Sequence, residues 1–447
     1  VIELKDADAD YAMMQKALAY GAKGDDDSKF RYLQQLFDTY NKSTLRPKAL
    51  MEMADTYLKL DKNDMAMQKY EQYLQLYPKN VRAKDALLNI GIIYYNAKND
   101  SAALAVFDRV LRQYPETDEA RYAMGSVKNI YIEQNRVDDY FAYIKKVAHV
   151  SVSDIEKDST IYLAAEDRYM SGDYASASGA LAAYLHKYPN GLFSQKASYY
   201  AADSYHRLGQ DDKALPYYLM VVAGANGKYS EESLYNAAGI AYDQTDYMLA
   251  DSLYALLAER SENDANRLVG LLGRLRSNVR LDKNEAIEAS AEALLKDEHI
   301  TTEQREEALI SMARVSYKKR DIQQILNRYE PLMTSANGEY SGEACYSRIV
   351  AFYNADNVLM AEKEINEYVE VASSDYWLAK TFILWADIYY KVHHNNLQAK
   401  QTLQSIIDNY DGDDLREQAK RNLQEIIDSE AADHQEEEPE MIIDIDE

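Results

Sequence analysis

Between positions 84 and 115, apolar and small residues fall at helical spacing in two successive sets. Leu87, Ile90, Gly91 and Tyr94 share one face, and Ala103, Phe107 and Val110 share another. Steps of three and four predict two amphipathic helices, each burying one stripe. Asn99-Asp100-Ser101 between them reads as a turn and helix N-cap, because a short polar side chain accepts from the unpaired N–H groups of a first turn. Small residues at Gly91 and Ala103 predict a close approach of the two helices. Pro115 marks the exit, since its ring cannot continue a helix interior.

The pattern recurs. Tyr-Pro occurs at Tyr77-Pro78, Tyr114-Pro115 and Tyr188-Pro189, at intervals of 37 and 74 residues. The same spacing reaches Tyr40 and Tyr410. It also passes through polar or small-residue junctions at Ser151, Ala225, Glu262, His299, Ala336 and Ser373. These eleven junctions predict an array of helical hairpins. Units at 121–157, 232–268, 269–305 and 306–342 fit less well. Lys128, Arg276 and Glu288 stand there at small-residue positions, so those helices should shift or splay. Residues 412–430 predict a closing amphipathic helix on Leu415, Ala419, Leu423, Ile426 and Ile427. No comparable cap precedes the first unit near Asp10, and the chain opens at Val1 without Met or an apolar leader. More repeats or another domain are expected upstream in a parent protein.

Gly91, Tyr94, Ala103, Phe107 and Pro115 stand at the offsets of the tetratricopeptide repeat signature, as do Ala54, Tyr57, Ala66, Tyr70 and Pro78. Ala202, Tyr205, Ala214 and Tyr218 match in a later unit, and Tyr390, Ala399, Leu403 and Ile406 near the end. Over residues 8–430 the chain resembles tetratricopeptide repeat (TPR) proteins, with a period a few residues longer than the usual ~34. The lengthened Tyr-Pro form is similar to repeats of bacterial cell-envelope proteins, including the outer-membrane-assembly lipoprotein and Tol-Pal-associated families. The resemblance implies an all-α, right-handed superhelical solenoid of about eleven helix-turn-helix repeats plus a C-terminal capping helix. It also implies a non-catalytic scaffold that binds proteins or peptides along a concave face, in the periplasm or envelope; the alternative is the cytoplasm. Four segments are expected: regular tyrosine-rich repeats over 1–262, irregular repeats with a basic island over 263–411, the cap over 412–430, and a flexible acidic tail over 431–447.

Composition adjusts this picture at three points. Forty tyrosines stand against seven phenylalanines, which predicts many half-buried rings with hydroxyls at water or polar partners. A net charge of −25 disfavours nucleic acid as a partner. The single cysteine, Cys345, excludes an internal disulfide framework and a cysteine-based metal site. No apolar run is long enough for a membrane span.

If Leu87, Ile90 and Tyr94 face inward, the open face carries Tyr95, Tyr122, Tyr162, Tyr169 and Tyr199 in successive units. Those rings line a groove for a partner, or they pack between repeats. From Tyr254 to Tyr317 the intervening residues include no tyrosine, and residues 267–281 hold Arg267, Arg274, Arg276 and Arg280 without an acid. Arg280, Arg314 and Lys318, with Gly270 and Gly273 leaving the backbone open, form a basic island that suits a carboxylate-rich segment. The competing reading is a solvated face paired with Glu285, Glu288, Glu306 and Glu307. The last residues, with Met441-Ile442-Ile443-Asp444-Ile445 framed by acids, are a docking motif or a solubilising tail.

Catalytic and cofactor motifs are absent. Gly224 to Lys228 lacks the first glycine and the hydroxyl residue of a phosphate loop. His393-His394 falls in a turn, and Asp25-Asp26-Asp27 and Asp411 to Asp414 read as helix N-caps rather than cation sites. Lys and Asn at successive open positions, as in carboxylate-clamp arrays, are replaced by Met51, Asp55, Leu88 and Ile92. No cofactor or metal is expected. A binding arm of a larger enzyme, with its catalytic domain elsewhere, is the second reading; a superhelical hydrolase would need a catalytic acid motif that the chain lacks.

Overall fold

A computed structural model describes residues 8–134, 136–147, 153–224 and 227–436. Among them are 23 α-helices, one short 3-10 turn at Glu330–Leu332, and no strand. The chain forms two compact units, Val1–Gln210 and Asp211–Glu447. The change of composition near residue 263 lies inside the second.

The first unit holds α1 (Ala9–Ala22), α2 (Asp26–Thr39), α3 (Arg46–Lys59), α4 (Asn63–Leu76), α5 (Ala83–Asn96), α6 (Asp100–Gln113), α7 (Asp118–Glu133), α8 (Val137–Val147), α9 (Asp154–Met170), α10 (Tyr174–Lys187) and α11 (Ser194–Arg207). Helices pack in consecutive pairs, and each second helix also packs on the next first helix. First helices touch one another directly at α5–α7 and α9–α11. One continuous core runs from Met13 to Ala164, with Leu50, Ala86, Phe107 and Val127 fully buried.

The second unit holds α12 (Asp211–Ala223), α13 (Ser230–Asp243), α14 (Tyr247–Arg260), α15 (Asp264–Arg280), α16 (Asn284–Leu295), α17 (Thr302–Lys319), α18 (Ile322–Tyr329), α19 (Gly338–Asn354), α20 (Val358–Val371), α21 (Asp375–Lys391), α22 (Asn396–Asn409) and α23 (Asp413–Glu436). Pairing continues from α13/α14 to α21/α22, and the first helices α13, α15, α17, α19 and α21 touch in series. α23 covers α22 and α21 with Leu415, Ala419 and Ile426, whereas Ile427 is exposed. This helix extends six residues past the expected boundary at 430. The docking motif expected over 441–445 lies outside the described residues.

The hairpin turn has a recurring cause. A left-handed residue follows the first helix at Gly24, Asp61, Lys98, Gly172, Gly209, Thr245, Asp282, Arg320, Asp356 and His394. At Lys98 the N–H donates to Tyr95 O and the next N–H, of Asn99, to Tyr94 O at 2.9 Å, closing the helix end. Asn99 then caps the following helix, its Oδ1 accepting from Ala102 N. One residue thus ends one helix and starts the next. Asp25 does the same work at α2, accepting from Ser28 N, an interaction that holds its carboxyl below the usual range. At the other end of each hairpin the Tyr-Pro tyrosines, Tyr77, Tyr114 and Tyr188, are the C-caps of α4, α6 and α10.

Most tyrosines are half-buried, as the composition predicts, and a smaller set goes further. Tyr70, Tyr73, Tyr162, Tyr184, Tyr218 and Tyr329 are among the largest fully buried side chains. Of these, Tyr70 donates to Asp55 (2.7 Å) and Tyr184 to Asp158 (2.6 Å), and the half-buried Tyr143 and Tyr169 donate to Asp108 (3.0 Å) and Asp203 (2.7 Å). Asp158 and Asp203 are buried, and a buried acid needs a donor that a phenylalanine cannot offer.

Candidate binding site

The expected tyrosine groove does not form as a continuous open surface. Tyr122 is 53% exposed and Tyr95 is half-buried beside Lys98. Tyr162, however, is fully buried; its ring stacks on Phe193 at 4.3 Å and its hydroxyl donates to Glu166. Tyr199 is buried against Tyr200. Tyr169 stacks on Tyr200 at 4.1 Å while bonding Asp203. Tyr162 and Tyr169 therefore join α9 to α11, while Tyr199 is buried on α11 beside Tyr200. All three rings are packing surface, and those of Tyr162 and Tyr169 are wide enough to bridge to the next first helix.

The basic island is largely neutralised from within. Arg267 pairs with Asp264 and Asp297, Arg274 with Asp251, Lys319 and Arg328 with Glu288, and Lys318 with Asp282. Arg276 holds Glu307 through two bonds of 2.7 and 2.8 Å. Of the four acids expected to compete, Glu288 and Glu307 do so. Arg280 is exposed and bonds Tyr242, which keeps its guanidinium more basic than usual. Gly270 and Gly273 are not on an open face. A Cβ at Gly270 would lie 2.6 Å from Ala258 N, and one at Gly273 would strike the Tyr254 ring, so both are contact points of α15 with α14.

Arg314 and Lys318 are brought together, and with residues the sequence did not single out. A pocket of about 210 Å³ spans three successive first helices. α17 supplies Arg314, Tyr317 and Lys318; α19 supplies Glu343, Tyr346 and Ser347; α21 supplies Trp377 and Lys380; Tyr329 of α18 closes the floor. Arg314 is forked onto Glu343, with Nε–Oε1 2.9 Å and Nη2–Oε2 2.7 Å, which keeps the guanidinium more basic than usual. The Tyr329 hydroxyl donates to the same carboxylate at 3.2 Å.

Lys380 differs from the other two cations. Its ammonium lies 4.7 Å from the Trp377 ring centre, 4.9 Å from Tyr346 and 5.4 Å from Tyr376. Among the described residues no ion pair engages it. Trp377 is fixed from behind: its indole N–H donates to Glu339, and it fills the space a side chain at Gly342 would occupy. Burial pushes the Tyr346 phenol up to about 12 and raises that of Tyr317. The surface is thus a cation on an aromatic platform, suited to an anionic group with apolar neighbours.

Two signals could have found this site. Tyr376-Trp377 and Lys380 lie within one helical turn, and Tyr317 adjoins Lys318. The fixed spacing of 37 hid the rest. Helices α15, α17, α19 and α21 have 17 or 18 residues, against 14 for α3 and α5, so residues facing each other across them are offset differently. Arg276 meets Glu307 and Arg314 meets Glu343, 31 and 29 positions on.

Among the described residues no group of His, Cys, Asp and Glu could hold a metal ion, and no helix is long and apolar enough to cross a membrane. Burial raises the Cys345 thiol to about 11.

No curated protein matches the chain. Among solved structures, a tetratricopeptide repeat protein from Parabacteroides merdae is similar, at 14% identity over 60% of this chain and 98% of that one, with a TM-score of 0.29. Yeast Tom70 is similar at 10% identity over 94% and 96%, with a TM-score of 0.33. Family models of the tetratricopeptide repeat match residues 48–80 and 85–117, and another matches 162–229. These stretches, on helices α3 to α6 and α9 to α12, are similar to tetratricopeptide repeats.

Proposed function

We propose that the chain is a non-catalytic interaction scaffold. It holds a partner protein or peptide across the row of first helices in the second unit, anchored at the pocket on α17, α19 and α21. The observation that carries this reading is the crossing of three helices by one pocket. A partner lying there would contact successive repeats at once, which is how a stack of packing modules gains affinity without a catalytic group. The lengthened Tyr-Pro repeats support a place in a bacterial cell envelope.

Photo-crosslinking tests the binding face. Benzoylphenylalanine at Tyr317, 39% exposed in the pocket, should capture a defined partner in cells of the source organism. The same group at Leu359, 79% exposed on α20, should not. Equal capture at both positions would remove the first-helix row from the proposal. Fractionation of those cells tests the compartment: recovery with cytoplasmic proteins alone would remove the envelope assignment.

A further inference from the structure

The three cations of the pocket are not equally available. Arg314 spends its fork on Glu343, and Lys318 reaches Asp282. Glu343 is in turn occupied by both Arg314 and the Tyr329 hydroxyl, so it does not serve Lys380. Lys380 keeps its charge against the faces of Trp377, Tyr346 and Tyr376. Rings on these sides take away water without giving a counter-ion, and a carboxylate delivered from outside would replace both.

From this geometry we infer that the pocket recognises an acidic segment of a partner protein. One Asp or Glu carboxylate binds Lys380, and an adjacent apolar side chain lies on Tyr317 and Tyr346. The inference rests on the reading of this pocket as the partner site and adds the chemistry of what it takes. Size agrees: about 210 Å³ is below the roughly 300–1,000 Å³ of sites for whole small molecules and suits one or two side chains of a longer chain. Charge also agrees once distance is considered. The net −25 of the chain is spread over its whole length, and charges beyond about 8 Å are largely screened at physiological salt. The local cation therefore decides attraction at the pocket, while the acidic remainder disfavours such a segment elsewhere.

The test uses the full chain and a fluorescein-labelled twelve-residue peptide of four Leu-Asp-Glu repeats, read by fluorescence polarisation. Its counterpart has Asn and Gln in place of every acid. The acidic peptide should bind, its affinity should fall with added salt, and the amide peptide should bind at least roughly tenfold more weakly. K380Q should lose about tenfold in affinity for the acidic peptide, and K380R, which keeps the charge over the rings, should retain most of it. Circular dichroism establishes that both variants are folded. No binding of the acidic peptide, equal binding of the two peptides, or an unchanged affinity in K380Q overturns the inference. If crosslinking at Tyr317 persists in any of those cases, the scaffold reading stands and only the acidic chemistry fails.

Discussion

If hydroxyl–carboxylate bonds explain the choice of tyrosine over phenylalanine, removing one hydroxyl should cost stability where it has partners and not where it has none. Tyr184 and Tyr368 make that comparison. Tyr184 is fully buried; it donates to Asp158, itself 7% exposed, at 2.6 Å and accepts from Phe193 N at 3.2 Å. In Y184F, Asp158 keeps the Leu192 N–H at 2.9 Å but loses its shortest bond. A hydrogen bond to a charged group contributes about 1.5–3 kcal/mol, and an orphaned N–H adds roughly 1 kcal/mol. With some water entry, a net loss of about 2–3 kcal/mol is expected. The hydroxyl of Tyr368, 3% exposed, is buried with no partner among the described residues. Y368F removes an unsatisfied group and should be neutral, or stabilising by about 1 kcal/mol. Native-state hydrogen exchange reads each locally: protection in α9 to α11 should fall by about 30- to 150-fold in Y184F. Protection in α19 and α20 should hold or rise in Y368F. An equal loss in both variants would show that ring packing, not the hydroxyl, sets the preference.

Other consequences are as direct. G270A should destabilise, because its Cβ would meet backbone atoms of α14 that cannot yield, whereas in G91A the obstacle is the Phe107 ring edge and a gain of about 1 kcal/mol in helix propensity offsets the clash; urea unfolding should rank them in that order. R348M leaves Glu364, 6% exposed, without the guanidinium it holds at 2.7 Å, and should cost about 3–5 kcal/mol by the same measurement, most of it recovered in R348M/E364L. R276Q, which opens a pair half exposed on its arginine side, should cost under about 1 kcal/mol. Raised tyrosine pKa values make the fold alkali-labile: Tyr346 stays protonated when folded up to about 12 but ionises near 10 when unfolded. Its contribution is therefore complete below pH 10 and lost progressively as pH rises to 12, so Y346F should weaken the decline in stability followed by circular dichroism over that interval.

What the sequence exposes and what it conceals divide along one physical line. Features within one hairpin depend on residues close in the chain. The close approach at Gly91, Asn99 as N-cap and the helix exit at Pro115 were readable because each partner lies within about four helical turns of sequence. The surface between hairpins depends on register, and register changes when helix length changes. The placement of Tyr162 on an open face assumed that residues one step round from the packed stripe stay open in every unit. It failed because Phe193, from the junction before α11, reaches the ring and covers it.

The basic island shows the same dependence from the opposite side. A run of arginines without acids looks like an exposed positive surface when only nearby sequence is counted. In the fold, Asp251, Asp297, Glu307 and Glu343 arrive from neighbouring helices and pair with it. Arginine density in the sequence therefore reports how many inter-repeat bonds a face makes, not how much charge it presents. Of the three cations that line the pocket, the one left to present is Lys380, a residue in no basic run, set against aromatic rings and with no ion pair among the described residues. On the proposed reading of the pocket, a charge whose partner fails to arrive from the next helix is a better guide to binding than a charge that merely has many like neighbours.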